Sequence, residues 1–219
     1  MAKYLIHECK SRLWYVNEYL VPSMLKQGIK KEDIGFCCDT KDRGNLANCM
    51  EAFKQVPDDD SGTWHLQDDV IISKDFKEQT EKHDEGIVCG FASMYDSEKN
   101  LPGLVNVRDM WFSFPCIRIP NKIARSCAEW IEKYMIGNLV YKDWWEKGVN
   151  DDMLFRQYIW QYHGEDEALN LAPNIVNHID YLIGGSVNGR DTGKRILSKY
   201  WNDNKLIKEL EKKLKEAGR

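Results

Sequence analysis

The stretch Thr63-Trp64-His65-Leu66-Gln67-Asp68-Asp69-Val70-Ile71-Ile72-Ser73 constrains the fold of this chain more than any other. An apolar run bounded by polar residues suits a strand of an α/β sheet that is covered on both faces. Two adjacent acids, Asp68 and Asp69, interrupt the run. A buried charge with no partner is costly, so acids in such a place must be ion-paired, hydrogen-bonded or bound to a cation. Side chains alternate along a strand, so the two point to opposite faces unless the chain turns there. That leaves one free to face a metal ion and the other a ribose or a backbone amide. The plainer alternative is a pair of acids capping a turn at a strand end.

The flanking chain alternates in character. Lys3 to His7 is short and β-prone, and Lys10 to Gln27 carries apolar residues near helical spacing, interrupted by Pro22 and stopped by Gly28. Asp33 to Asp39 reads as a second strand ending in an acid, and Asn45 to Gln55 as a helix with Leu46, Cys49, Met50 and Phe53 on one face. Strand, acid-bearing turn and helix form a βα unit, which places ligands at the carboxyl edge of a sheet. Pro57 to Gly62 reads as an acidic, solvated turn.

Beyond the Trp64–Ser73 strand the pattern predicts a helix in Lys74 to Glu85, a strand in Gly86 to Tyr95 and a loop from Asp96 to Val107. Asp109 to Ile119 is aromatic and β-prone, Pro120 opens a helix to about Ile136, and Asp151-Asp152 leads a helix through Tyr162. Two loop-rich segments follow, at Pro173–His178 and Gly184–Gly189. The last helix, roughly Lys194 to Ala217, carries the Leu206, Leu210, Leu214 stripe and is predicted to pack on the body. The alternation predicts an α/β fold with a mainly parallel sheet flanked by helices and a C-terminal helix.

A chain of 219 residues with 42% hydrophobic content suits one domain, 1–193, with 194–219 as the appended amphipathic helix. A net charge of −4 argues against broad non-specific binding to nucleic acid. The seven cysteines show no CxxC pair, so zinc-site spacing is absent and free thiols in a reducing compartment are the reading. With no signal peptide and no apolar run of membrane-spanning length, a soluble cytoplasmic protein is expected.

Four elements now stand in the order of one family. Gln67-Asp68-Asp69-Val70-Ile71 resembles the Glu-Asp-Asp-apolar metal motif of GT-A (Rossmann-like) nucleotide-sugar glycosyltransferases, closest to the small lipopolysaccharide-biosynthesis (family 25-like) type. Asp39…Arg43-Gly44-Asn45 resembles its nucleotide-reading loop. Val149-Asn150-Asp151-Asp152-Met153-Leu154 is similar to the acid pair that supplies the catalytic base. Ala172-Pro173-Asn174-Ile175-Val176-Asn177-His178-Ile179 resembles the late segment whose histidine reaches the metal. The similarity runs over roughly residues 3–190. One departure is Gln67, a neutral amide where the family has an acid, and a weaker ligand for a hard cation.

The resemblance implies a metal-dependent hexosyltransferase. Mn²⁺ or Mg²⁺ would be held by Asp69 and His178, and the donor would be an NDP-sugar, by preference a UDP-sugar. Asp39, Arg43, Asn45 and Asp68 would bind the nucleotide, and Asp152 or its neighbour Asp151 would take the acceptor proton. The acceptor is open among a glycan, a lipid-linked saccharide, a protein and a modified DNA base, as is retention or inversion at the sugar. Clustered carboxylates also suit a nucleotidyl or phosphoryl transferase. A non-catalytic nucleotide-sugar-binding module of the same fold is the third reading.

Overall fold

The computed structural model describes residues 2–41, 44–91, 102–107, 114–136, 151–164, 166–184 and 201–218. Strand β1 (Tyr4–Cys9) runs into a helical segment, α1 (residues 10–26), with a π-helical turn at Val16–Leu20 just before Pro22. Proline has no N–H for the helical ladder, so the local unwinding sits where a helix proline puts it. Strand β2 (Ile34–Asp39), helix α2 (Asn45–Gln55) and strand β3 (Gly62–Gln67) follow.

Next come β4 (Val70–Ile72), α3 (Phe76–Lys82), β5 (Ile87–Cys89), β6 (Gly103–Asn106), β7 (Cys116–Pro120) and α4 (Asn121–Trp130, continued as a π-helical turn to Ile136). The described chain closes with α5 (Asp151–Tyr162), β8 (Glu167–Asn170), β9 (Val176–His178) and α6 (Asn204–Glu216).

Seven strands form one sheet in the order β2-β1-β3-β7-β5-β8-β6, and β4 and β9 pair separately. Strands β1, β2, β3, β5 and β8 run one way, while β7 and β6 run against them. The sheet is therefore mainly parallel, with helices on both faces. In β1, Leu5 packs into the layer of α2, α4 and α5, while Tyr4 and Ile6 pack with α1, α3 and α6. That period of two is what a strand covered on both sides demands. Leu210 and Leu214 bury the apolar stripe of α6 against the second layer. Among the described residues, no helix is long and apolar enough to cross a membrane.

Three expectations need correction. The Trp64–Ser73 stretch is two strands, because the chain turns at Asp68-Asp69 and β4 leaves the main sheet to pair with β9. Residues 96–107 are not all loop, since β6 joins β8 at the sheet edge. The segment read as loop-rich at Pro173–His178 contains β9, whose three residues are too few to show a period. The acidic loop at 57–62 is a turn, as expected, but it also fastens α4. Asp59 accepts hydrogen bonds from Ser61 and from the Asn121 amide at the helix start.

Candidate functional site

Strands β1, β2 and β3 are parallel, so their carboxyl ends lie at one edge of the sheet, with Cys9 level with Asp39 and Gln67 level with His7. Ligands of open α/β sheets bind beyond this edge. The chain reverses immediately after β3, and that turn lets both acids look inward from one place. Asp68 Oδ2 accepts the Cys9 backbone N–H at 2.6 Å, tying the turn to the end of β1. Because α1 starts directly after β1, Arg12 reaches the same point. Its Nη1 donates to Asp68 Oδ1 at 2.8 Å and to Asp69 Oδ2 at 2.5 Å.

The β4–β9 ladder builds the other half. Val70 stands opposite His178, and the Ile179 N–H donates to the Asp69 carbonyl at 2.9 Å. This pairing carries His178 across from a distant part of the sequence, so that its Nε2 lies 3.0 Å from Asp69 Oδ1. The helical turn after β9 adds Asp180, whose Oδ1 is 3.4 Å from His178 Nδ1. One ligand atom from each of Asp69, His178 and Asp180 falls within 4.8 Å of the others. Tyr15 donates to the Val70 carbonyl at 2.8 Å and pins α1 to this ladder.

Electrostatics mark the place. Glu8, Asp68, Asp69 and Asp180 are each no more than 5% exposed, and Arg12 is the buried guanidinium among them. Burial, then Asp68, pushes the Glu8 carboxyl up to about 7, and no hydrogen bond or ion pair reaches that carboxylate among the described residues. Burial and the Asp69 charge push Asp180 up to about 6. Burial and Asp69 also raise Asp68, against the pull of Arg12. Burial disfavours the Arg12 charge, but Asp69 and Asp68 outweigh it and hold the guanidinium ionised. Four carboxyl groups face one guanidinium here, a set that a divalent cation can balance in place of protons. Two carboxylates with one imidazole fit Mn²⁺ or Mg²⁺, with the histidine favouring Mn²⁺.

The second acid pair lies at the start of α5, which packs on α2. Asp151 is buried, and burial with the Asp152 charge pushes it up to about 7; Asp69 adds to the shift. Asp152 stays half-buried, with Oδ1 accepting the Met153 N–H at 2.8 Å. Of the two, Asp151 is the one that burial pushes toward neutral pH.

Asp69 and His178 are thus brought together, and Asp68 joins them through Arg12. Asp39 is buried, and its Oδ2 accepts the Gly44 N–H at 2.8 Å, closing the loop before α2. Gly44 has φ 95, a conformation costly for any side chain, so the loop needs glycine there. Asn45 is the exposed first residue of α2. Arg43 lies outside the described residues. Glu8, Arg12 and Asp180 escape sequence reasoning; a polar residue at the end of β1 and an arginine in the next turn are the only signals they leave. Where Gln67 lacks a carboxylate, Asp180 supplies one to the cluster from the opposite strand pair.

No protein-family model and no curated protein matches this chain. Among solved structures it is similar to A197 from STIV, at 15% identity and a TM-score of 0.43, over 93% of this chain and 95% of that one. HddC from Yersinia pseudotuberculosis aligns with 57% of this chain and 80% of its own, at 12% identity and a TM-score of 0.32. At such values neither likeness carries an argument about chemistry.

Proposed function

We propose that this protein is a divalent-cation-dependent glycosyltransferase that moves a sugar from a nucleoside-diphosphate sugar to an acceptor hydroxyl. One observation carries the reading. The Asp69–His178–Asp180 cluster sits at the carboxyl edge of a mainly parallel sheet, where four carboxyl groups face one guanidinium, with a buried titratable acid, Asp151, close enough to sense Asp69. When bound, a divalent cation would neutralise charge growing on the diphosphate leaving group.

The remaining roles belong to the chain. Asp69, His178 and Asp180 would hold the cation, and Asp68 would offer acceptors to ribose hydroxyls. Asp151 takes the proton from the acceptor hydroxyl as its oxygen bonds to the anomeric carbon. The C–O bond to the diphosphate breaks as that bond forms, and the electron pair leaves with the nucleotide. A carboxyl pushed up to about 7 suits this work, because a general base is most effective when its pKa lies near the working pH. Direct displacement inverts the anomeric carbon. Holding donor and acceptor together supplies much of the remaining acceleration.

The test is release of nucleoside diphosphate from a panel of NDP-sugars, UDP-sugars first, in the presence of Mn²⁺. Metal-dependent release that disappears in Asp69→Ala supports the reading. If calorimetry finds no binding of any nucleoside diphosphate in the presence of Mn²⁺, the reading falls.

A further inference from the structure

Arg12 is the buried cation on which the cluster turns, and the group-transfer reading assigns it no step. Its Nη1 spans both members of the acid pair, taking Asp68 Oδ1 and Asp69 Oδ2. Asp69 thereby divides its carboxylate. One oxygen faces the guanidinium, while the other faces His178 Nε2, where a divalent ion would be held. An ion bound there meets a carboxylate already partly neutralised, with a fixed positive charge on its far oxygen. Like charges at such separations repel strongly when water is excluded.

We propose that Arg12 is a resident counter-ion that holds the cation site below its intrinsic affinity, so that the divalent ion loads fully only together with an anionic ligand. This rests on the group-transfer reading and deepens it. A diphosphate arriving at the Asp68–Asp69 turn brings negative charge to Arg12 and to the ion at once, so each binds better in the presence of the other. Coupling of this kind is reciprocal by thermodynamic necessity. Arg12 is then a positioning residue. It keeps the acids assembled in the absence of the ion, and it makes ion and nucleotide binding interdependent.

The experiment is titration of Mn²⁺ into the intact protein, followed by electron paramagnetic resonance of free Mn²⁺, with and without UDP. It is done for the native chain and for Arg12→Gln, which keeps an amide donor and removes the charge. For Mn²⁺ alone, the variant should bind on the order of tenfold or more tightly than the native protein. The enhancement of Mn²⁺ affinity by UDP should shrink in the variant by a similar factor. A purely structural arginine predicts the reverse, with affinity falling as the acids lose their alignment.

Native binding of Mn²⁺ that is unchanged or weaker in Arg12→Gln overturns the proposal and leaves the group-transfer reading standing. Absence of Mn²⁺ binding in both proteins, with or without UDP, sinks that reading and the proposal with it. Should Arg12→Gln fail to fold alone, recovery of its far-UV circular dichroism by millimolar Mn²⁺, but not by sodium chloride of equal ionic strength, supports the counter-ion role. Failure to recover overturns it.

Discussion

The chain uses the dipeptide Asp-Asp at the turn after β3 and again at the start of α5, and the two pairs meet opposite fates. At Asp68-Asp69 both side chains are buried and share the Arg12 guanidinium. At Asp151-Asp152 one is buried with no such partner among the described residues and is pushed up to about 7, while the other stays half-buried and accepts the Met153 N–H. A buried carboxylate keeps its charge where a cation faces it and otherwise keeps its proton. The first pair therefore suits holding positive charge, and the second suits moving a proton.

The largest effect that sharpens this contrast is expected at Asp69. Asp69→Ala should lower Mn²⁺-dependent release of nucleoside diphosphate by roughly a thousandfold or more, since metal assistance is worth several kcal/mol. A variant retaining most of the activity would break the assignment. Next comes the second pair. Asp151→Asn should lower kcat by about 10²–10⁴-fold with nucleotide affinity kept, as loss of a general base does, whereas Asp152→Asn should change it less than about tenfold. Equal losses at both positions would erase the distinction.

Stability should follow proton linkage. Asp151 keeps its proton to about pH 7 in the fold, against 3.8 for an unhindered aspartate. Between those values the unfolded chain is ionised and the folded chain is not. The stability allowed by the neutral carboxyl is therefore full below pH 3.8 and declines as pH rises toward 7. Thermal melts should show Asp151→Asn more stable than the native protein at pH 8, with the gap closing toward pH 4.

The histidine pair that links β1 to β3 leans the other way. His7 Nε2 lies 2.9 Å from His65 Nδ1, and burial holds His7 down to about 4, from 6.5. Their contribution is full above pH 6.5 and is lost as pH falls toward 4. Replacing both by leucine should flatten the acid limb of the melting profile. The smallest effect is expected at the exposed Lys212–Glu216 pair of α6, where Glu216→Ala should cost no more than about 0.5 kcal/mol in denaturant unfolding.

Legibility in the sequence follows the range of the interaction. Helix α2 falls at Asn45–Gln55, as its apolar face predicts, because helical periodicity is written in neighbours three and four residues apart. The end of α5 at Tyr162 is likewise where the spacing places it. Strand β6, by contrast, is made by pairing with β8, and its four residues carry too little pattern to show this alone. Asp180 is equally silent, since nothing near it in the chain distinguishes it from a surface acid.

The order of amino acids alone carries the α/β alternation, the βα units and the acids Asp68, Asp69, Asp151 and Asp152, though not Asp180. Those rest on local periodicity and on the cost of burying charge. Tertiary structure alone decided which acids meet. The turn after β3 swings β4 out to β9, and that ladder sets His178 and Asp180 beside Asp69. Arg12 arrives from the other direction because α1 follows β1 without a linker. Electrostatic energy depends on distances across the fold and on the water excluded between them, and neither is encoded in any single stretch of the chain.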